Sequence, residues 1–294
     1  MAPIQLHWRS SPLASAMHAA AAVQFDQTLI DPAMQAALEP IVRELRASLV
    51  SHRIVGRIFF AHLPHLAVEY GNPVEMAEIA LRKAKGSSAL EYTSLYAEHL
   101  RDIVEVFKRF HPANAEELIT RAGPLRELWE SRGPGLLMEV GRIAEPQLIP
   151  DNAQVILVQP VLGGSGAPHA WYNSLRIEAM LANPVADLPE VLRLAWLIGQ
   201  LQLELPRYRD DIGLADSDRV GALALIPLVL AAGEYVEWCP SDAATIEKAL
   251  AVWLPEVDHA QTIEPLLSWW DVYQESKLPF GKALAALGKL LPKG

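Results

Sequence analysis

A chain of 294 residues, 51% hydrophobic and 20% charged, is long enough to bury a large core and too apolar for a disordered tail or a fibrous repeat. Its net charge of −10 falls mostly after Gly133, and no basic stripe interleaves with aromatics, which argues against nucleic acid as a partner. The single cysteine, Cys239, excludes an internal disulfide and any multi-cysteine metal site, and suits a reducing, cytoplasmic setting.

Arg9 followed by the alanine-rich run 14–23 has the look of a secretory leader, but His18 interrupts it. Ser11-Pro12 reads instead as an N-cap with proline at the first helical position. From Pro32 to Ser51, Met34, Leu38, Ile41, Val42, Leu45 and Leu49 recur at the three-and-four spacing of one buried helix face. Further helices are expected over 54–70, continuous or broken near Pro64, and over 75–85. Ser87 or Ser88 should then cap a long helix running to Pro112. Asn114 with Glu117 resembles a capping box, and the helix it opens is expected to break at Gly123-Pro124. Arg132-Gly133-Pro134-Gly135 is the strongest punctuation in the chain and the expected boundary.

After that boundary come a short element over 136–143, a strand at Val155–Val158, a glycine-rich turn at 163–166, and a second strand over Ser174–Ala179. Helices follow near 188–205, 217–237, 241–253, 260–274 and 279–291, with Ser217 and Ser241 as N-caps. The apolar run 220–233 is too short to span a bilayer, contains Pro227, and reads as a buried helix, so no membrane association is expected. The class is α+β and predominantly α-helical. It has a helical N-terminal region (1–132) and a small sheet with a helical C-terminal region (133–294), or one continuous domain.

The order of strand, glycine turn, strand (Ser174–Ala179) and apolar helix (Val191–Leu201) resembles that of zincin-like metallopeptidases. The resemblance implies that the second strand lines a substrate cleft and that the helix carries His-Glu-x-x-His. Where those ligands would stand, this chain has Ala195, Trp196, Leu197, Ile198 and Gly199, and side chains without donor atoms cannot hold zinc. The resemblance therefore implies a degenerate scaffold without the metal or its chemistry. None of the family's site residues carries over.

Other constellations are incomplete. His62-x-x-His65 with Glu69 is the densest set of potential metal ligands and shares one helix face, but Pro64 intervenes and no fourth ligand is evident. Ser165 among glycines, with His169 nearby, lacks the direct strand-to-helix passage of a nucleophile elbow. The glycine turn also suits an anion cradle, without a phosphate-loop signature. Asp210, Asp211, Asp216 and Asp218 do not have calcium-loop spacing, and capping of the following helix by Asp216 or Ser217 accounts for the loop.

With no complete ligand set, nucleophile–base pair or cofactor fingerprint, the expected role is non-catalytic binding or assembly, without cofactor. In its sharpest form, an extended peptide adds to the edge of the strand Ser174–Ala179, in a groove lined by Trp171, Tyr172, Asn173, Arg176 and Trp196. The alternatives are a hydrolase whose Ser165, His169, Asp211, Glu234 and Glu237 converge only in space, and a homo-oligomer anchored by Trp269 and Trp270.

Overall fold

A computed structural model of the chain describes residues 3–210, 212, 217–276 and 278–292. Among these lie twelve α-helices and one four-stranded sheet, a predominantly helical α+β fold. They form two compact units interleaved in sequence. One comprises His7–Gly123 with Gln154–Leu181, and the other Met1–Leu6, Pro124–Ala153 and Ala182–Gly294.

The first unit is built from strand β1 (Gln5–Ser10, from His7 on), helices α1 (Pro12–Gln24), α2 (Pro32–Ser51), α3 (Gly56–Glu69), α4 (Pro73–Lys85) and α5 (Thr93–Phe110), and the start of α6 (Asn114–Ile143). It also holds strands β2 (Asn152–Val158, from Gln154 on), β3 (Gly166–His169) and β4 (Ser174–Glu178). The leader-like alanine run is its central helix. Ser11 is extended and its Oγ accepts the Ala14 N–H at 3.2 Å, and every residue from Ala14 to Val23 is buried. A helix apolar on all sides must be packed on all sides, and alanine lets neighbouring backbones approach closely. Accordingly α1 packs against α2, α3 and α5.

Two expectations for the helices need correction. Gly86, at φ +88°, ends α4, and a 3-10 segment (Ser87–Tyr92) delays α5 to Thr93, so neither Ser87 nor Ser88 caps it. Helix α6 runs unbroken through Pro124 and Pro134, so Gly123-Pro124 does not break it and Arg132–Gly135 lies within the helix. Each proline removes one intrahelical hydrogen bond, at a cost of about 3 kcal/mol in an isolated helix. Burial of Leu118, Leu125, Trp129, Leu136, Leu137 and Val140 along the same helix offsets that cost.

The sheet order is β1-β2-β4-β3. Strand β4 pairs parallel with β2 (Ile156 opposite Arg176, Val158 opposite Glu178) and antiparallel with β3 (Ala167 opposite Arg176, His169 opposite Ser174). Strand β4 is therefore internal, with both ladders filled, and cannot accept an added peptide strand. Two strands, Gln5–Ser10 and Gly166–His169, are not among the elements expected from the sequence; they are short edge strands, too brief or too exposed for a clear period-two pattern.

The second unit is all helical beyond the sheet's ends. It holds α6 from Pro124 onward, then α7 (Glu190–Gln200), α8 (Pro206–Arg209), α9 (Ser217–Tyr235), α10 (Ala243–Trp253), α11 (His259–Glu275) and α12 (Phe280–Leu290). Helix α9 is its centre, packed by α7, α10, α11 and α12. Gly199 permits the α7–α9 crossing, since a Cβ there would meet Leu225 at 3.1 Å. Asp242, not Ser241, caps α10 by accepting the Thr245 N–H at 2.8 Å. Ser217 is the first residue of α9, and Asp211 and Asp216 lie outside the described residues. No helix among the described residues is long and apolar enough to cross a membrane.

Candidate functional site

Along β4 the side chains alternate, so Ser174, Arg176 and Glu178 share one face with Gln154, Ile156 and Val158 of β2. That face is turned toward the helical layer, because Ile156 and Val158 belong to the same buried cluster as α1, α2, α3 and α5. Each polar residue of β4 there meets an imidazole. Ser174 Oγ lies 3.2 Å from His65 Nδ1, Arg176 Nε donates to His18 Nδ1 at 3.2 Å, and His18 Nε2 lies 2.9 Å from Glu178 Oε1.

Hydrogen-bond logic fixes two tautomers. A guanidinium N–H only donates, so His18 Nδ1 is an acceptor and the ring proton sits on Nε2, where it is donated to Glu178. The other side of Arg176 repeats the pattern, with Nη1 3.5 Å from His169 Nε2. That leaves the His169 Nδ1 proton for the Ala61 carbonyl. Both rings stay neutral. Burial is the main cause that lowers the pKa of each, and the charge of Arg176 adds to it.

Glu178 is wholly buried and ionised, its pKa held below the usual value by the hydrogen bond from His18 and by backbone N–H groups. Its Oε1 also accepts the N–H groups of Val161 and Leu162 at 2.8 Å, and Oε2 accepts that of Gly164 at 2.7 Å. Gly163 and Gly164, at φ +83° and +117°, allow the loop to wrap around the carboxylate. The glycine turn is thus an anion cradle, and the anion it holds is the chain's own Glu178. Ser165 contributes its carbonyl to the Glu178 N–H, and no hydrogen bond joins its hydroxyl to a histidine among the described residues.

Toward the surface the cluster becomes aromatic. A 3-10 turn (Ala170–Tyr172), closed by Asn173 in the left-handed region at φ 48°, carries Trp171 and Tyr172 between β3 and β4. Trp171 is 56% exposed and stacks on His62 with ring centroids 4.7 Å apart. Tyr172 stacks on His65 at 3.9 Å, and its hydroxyl hydrogen-bonds His62 Nδ1 at 2.8 Å. The Lys83 ammonium lies 5.4 Å above the Tyr172 ring. Burial pushes the His62 pKa down to about 4, helped by Lys83 and His65, and pushes that of Tyr172 up to about 12. At neutral pH the phenol is protonated and the imidazole neutral.

The structure gathers Trp171, Tyr172, Arg176, His62 and His65 into one cluster and leaves Trp196 out of it. Trp196 is buried on α7 in the other unit, its Nε1–H donated to the Ala222 carbonyl at 2.8 Å and its ring against Trp253. Asn173 turns the chain into β4. Glu69 accepts from Gln154 at 3.1 Å, and no group of three possible ligands is assembled among the described residues, so His62, His65 and Glu69 do not form a metal site there. Glu234 and Glu237 belong to the other unit from Ser165 and His169. Trp269 and Trp270 are buried, and Trp269 donates to the Ala283 carbonyl, so they are core residues rather than exposed anchors.

Sequence reasoning missed His18, His169 and Glu178 as members of this cluster. Their signal is faint: His18 is a lone imidazole in an alanine helix, His169 sits beside a glycine turn, and Glu178 is one acidic residue near the end of a short strand. Comparison with known protein families, curated proteins and solved structures finds no match.

Proposed function

We propose that this chain is a non-catalytic binding protein that takes an anionic group, carboxylate or phosphate, at Arg176, with the body of the ligand against Trp171 and Tyr172. One observation carries the reading. The half-buried guanidinium of Arg176 is held by two neutral imidazoles and has no carboxylate within ion-pair distance among the described residues. His169, 3.5 Å from Arg176, and His62, near Lys83, are rings kept neutral first by burial and then by the positive charge of Arg176 and Lys83 respectively. An anion is the ligand that such a potential favours, and guanidinium is well shaped to bind one. The exposed Trp171, stacked on His62, supplies a flat apolar surface in the same cluster.

The extended peptide expected from the sequence would bring this charge as a carboxylate, bound through side chains and not by strand addition to β4. The degenerate zincin-like scaffold belongs to the same proposal, supported by the order of strand, glycine turn, strand and ligand-free helix. A cytoplasmic setting rests on the lone buried Cys239.

The test is calorimetry with phenyl phosphate and benzoate against benzyl alcohol as the neutral control. Saturable binding of the anions below about 1 mM, lost in Arg176→Gln and weakened in Lys83→Gln and Trp171→Ala, supports the reading. Lys83 and Trp171 are exposed, so their variants keep the fold. Equal heats for the three compounds, or binding indifferent to all three substitutions, overturns it.

A further inference from the structure

The all-helical unit contains a cavity of about 630 Å³ that the reading above does not use. Its lining includes Glu139 and Arg142 near the end of α6, Glu234 and Tyr235 at the end of α9, and Trp270 and Tyr273 near the end of α11. Three helices therefore present their C-terminal ends to one space. The terminal carbonyls of a helix carry a partial negative charge, usually answered by a basic residue in the last turn. Helices α9 and α11 have none.

Arg142 of α6 is the cation in the lining, and it is already engaged. Its Nε and Nη2 clasp the two Glu139 oxygens at 2.8 and 2.5 Å. Arg132, from outside the lining, donates to the Val236 carbonyl beyond the end of α9. Glu234 has no cationic partner among the described residues and accepts only the Ser241 hydroxyl and, at 3.5 Å, its N–H. Tyr235 stands 70% exposed at the mouth, while Trp270 and Tyr273 are buried behind it with ring centroids 6.0 Å apart.

We infer that this cavity binds a compact organic cation, an alkylammonium or guanidinium group, between the Glu234 carboxylate and the exposed Tyr235 ring, with Trp270 and Tyr273 forming its wall. The carboxylate supplies the counter-charge and the exposed Tyr235 ring supplies cation–π attraction. A bare metal ion suits the site less well, because aromatic faces replace the oxygen ligands it needs. Free amines and lysine side chains carry the same chemistry.

Calorimetry on the full chain distinguishes them, using 1,4-diaminobutane, N-acetyl-lysine methylamide and, as the uncharged control, 1,4-butanediol. Saturable heats are expected for the amines and none for the diol. Binding should weaken about fivefold in Tyr235→Ala and in Glu234→Gln, both surface substitutions. Tighter binding of the diamine identifies a free amine as the ligand class, and tighter binding of the lysine derivative a protein side chain. Amine heats matching those of the diol, or affinities unchanged in both variants, overturn the inference.

Discussion

Arg176 and Glu178 occupy the same face of β4, yet the shortest path between their charges runs through a third residue, the His18 imidazole. The ring accepts from the guanidinium on one nitrogen and donates to the carboxylate from the other. A cation and a buried anion are thereby linked through a neutral ring, while the other side of Arg176 meets the His169 imidazole.

Glu178 should be a major determinant of stability. Replacing it by alanine leaves the N–H groups of Val161, Leu162 and Gly164 and the His18 ring proton without their acceptor. Each unsatisfied buried group costs about 1–3 kcal/mol, so Glu178→Ala should lose at least about 3 kcal/mol after partial relief by water. Glu178→Gln keeps the shape and one acceptor oxygen and should lose about half as much. Urea denaturation of the two variants measures both.

Stability should fall in mild acid. Burial lowers the folded-state pKa of His18, His62, His65, His111 and His169 below the ordinary 6.5, to about 4 for His62. A base with a lowered folded pKa takes up its proton more readily when unfolded. Its contribution is therefore complete above pH 6.5 and is lost as the pH drops toward the folded value. Glu178, also lowered, adds a loss of the same sign below its ordinary 4.5. The urea midpoint should be flat from pH 8 to 7 and decline steadily from 6.5 to 4. Substituting His62 with phenylalanine should make that decline shallower.

Two tryptophans should respond in opposite ways. Trp171→Ala removes an exposed ring and should cost under about 1 kcal/mol of stability while weakening anion binding. Trp196→Ala empties a buried site and orphans a hydrogen bond to Ala222, and should cost about 3–5 kcal/mol. Thermal unfolding and calorimetry on the pair separate the binding surface from the core.

How far these features could be read from sequence follows from their physics. The helix over Pro32–Ser51 is legible because one apolar stripe runs its length from a proline at its start, and the structure adds an Asp31 cap. Helix α6 was misread because local rules forbid proline where tertiary burial tolerates it. The cluster itself was half visible. His62 and His65 announce themselves at i, i+3, and Trp171-Tyr172 as adjacent aromatics. His18 and Glu178 are separated by 160 positions, and nothing local in either segment says that an alanine-rich helix will lie across that strand. The glycine turn was recognisable as an anion cradle, but its anion comes from a strand that follows it.

The central claim, that an imidazole-lined guanidinium awaits an anion, is tested most directly by the imidazole nitrogens. Their NMR signals should be followed through a pH titration with and without phenyl phosphate. A bound anion should raise the protonation midpoints of His62 and His169 in the wild-type chain and leave them unmoved in Arg176→Gln. Midpoints that do not respond to phenyl phosphate, or that respond equally without Arg176, would contradict the account.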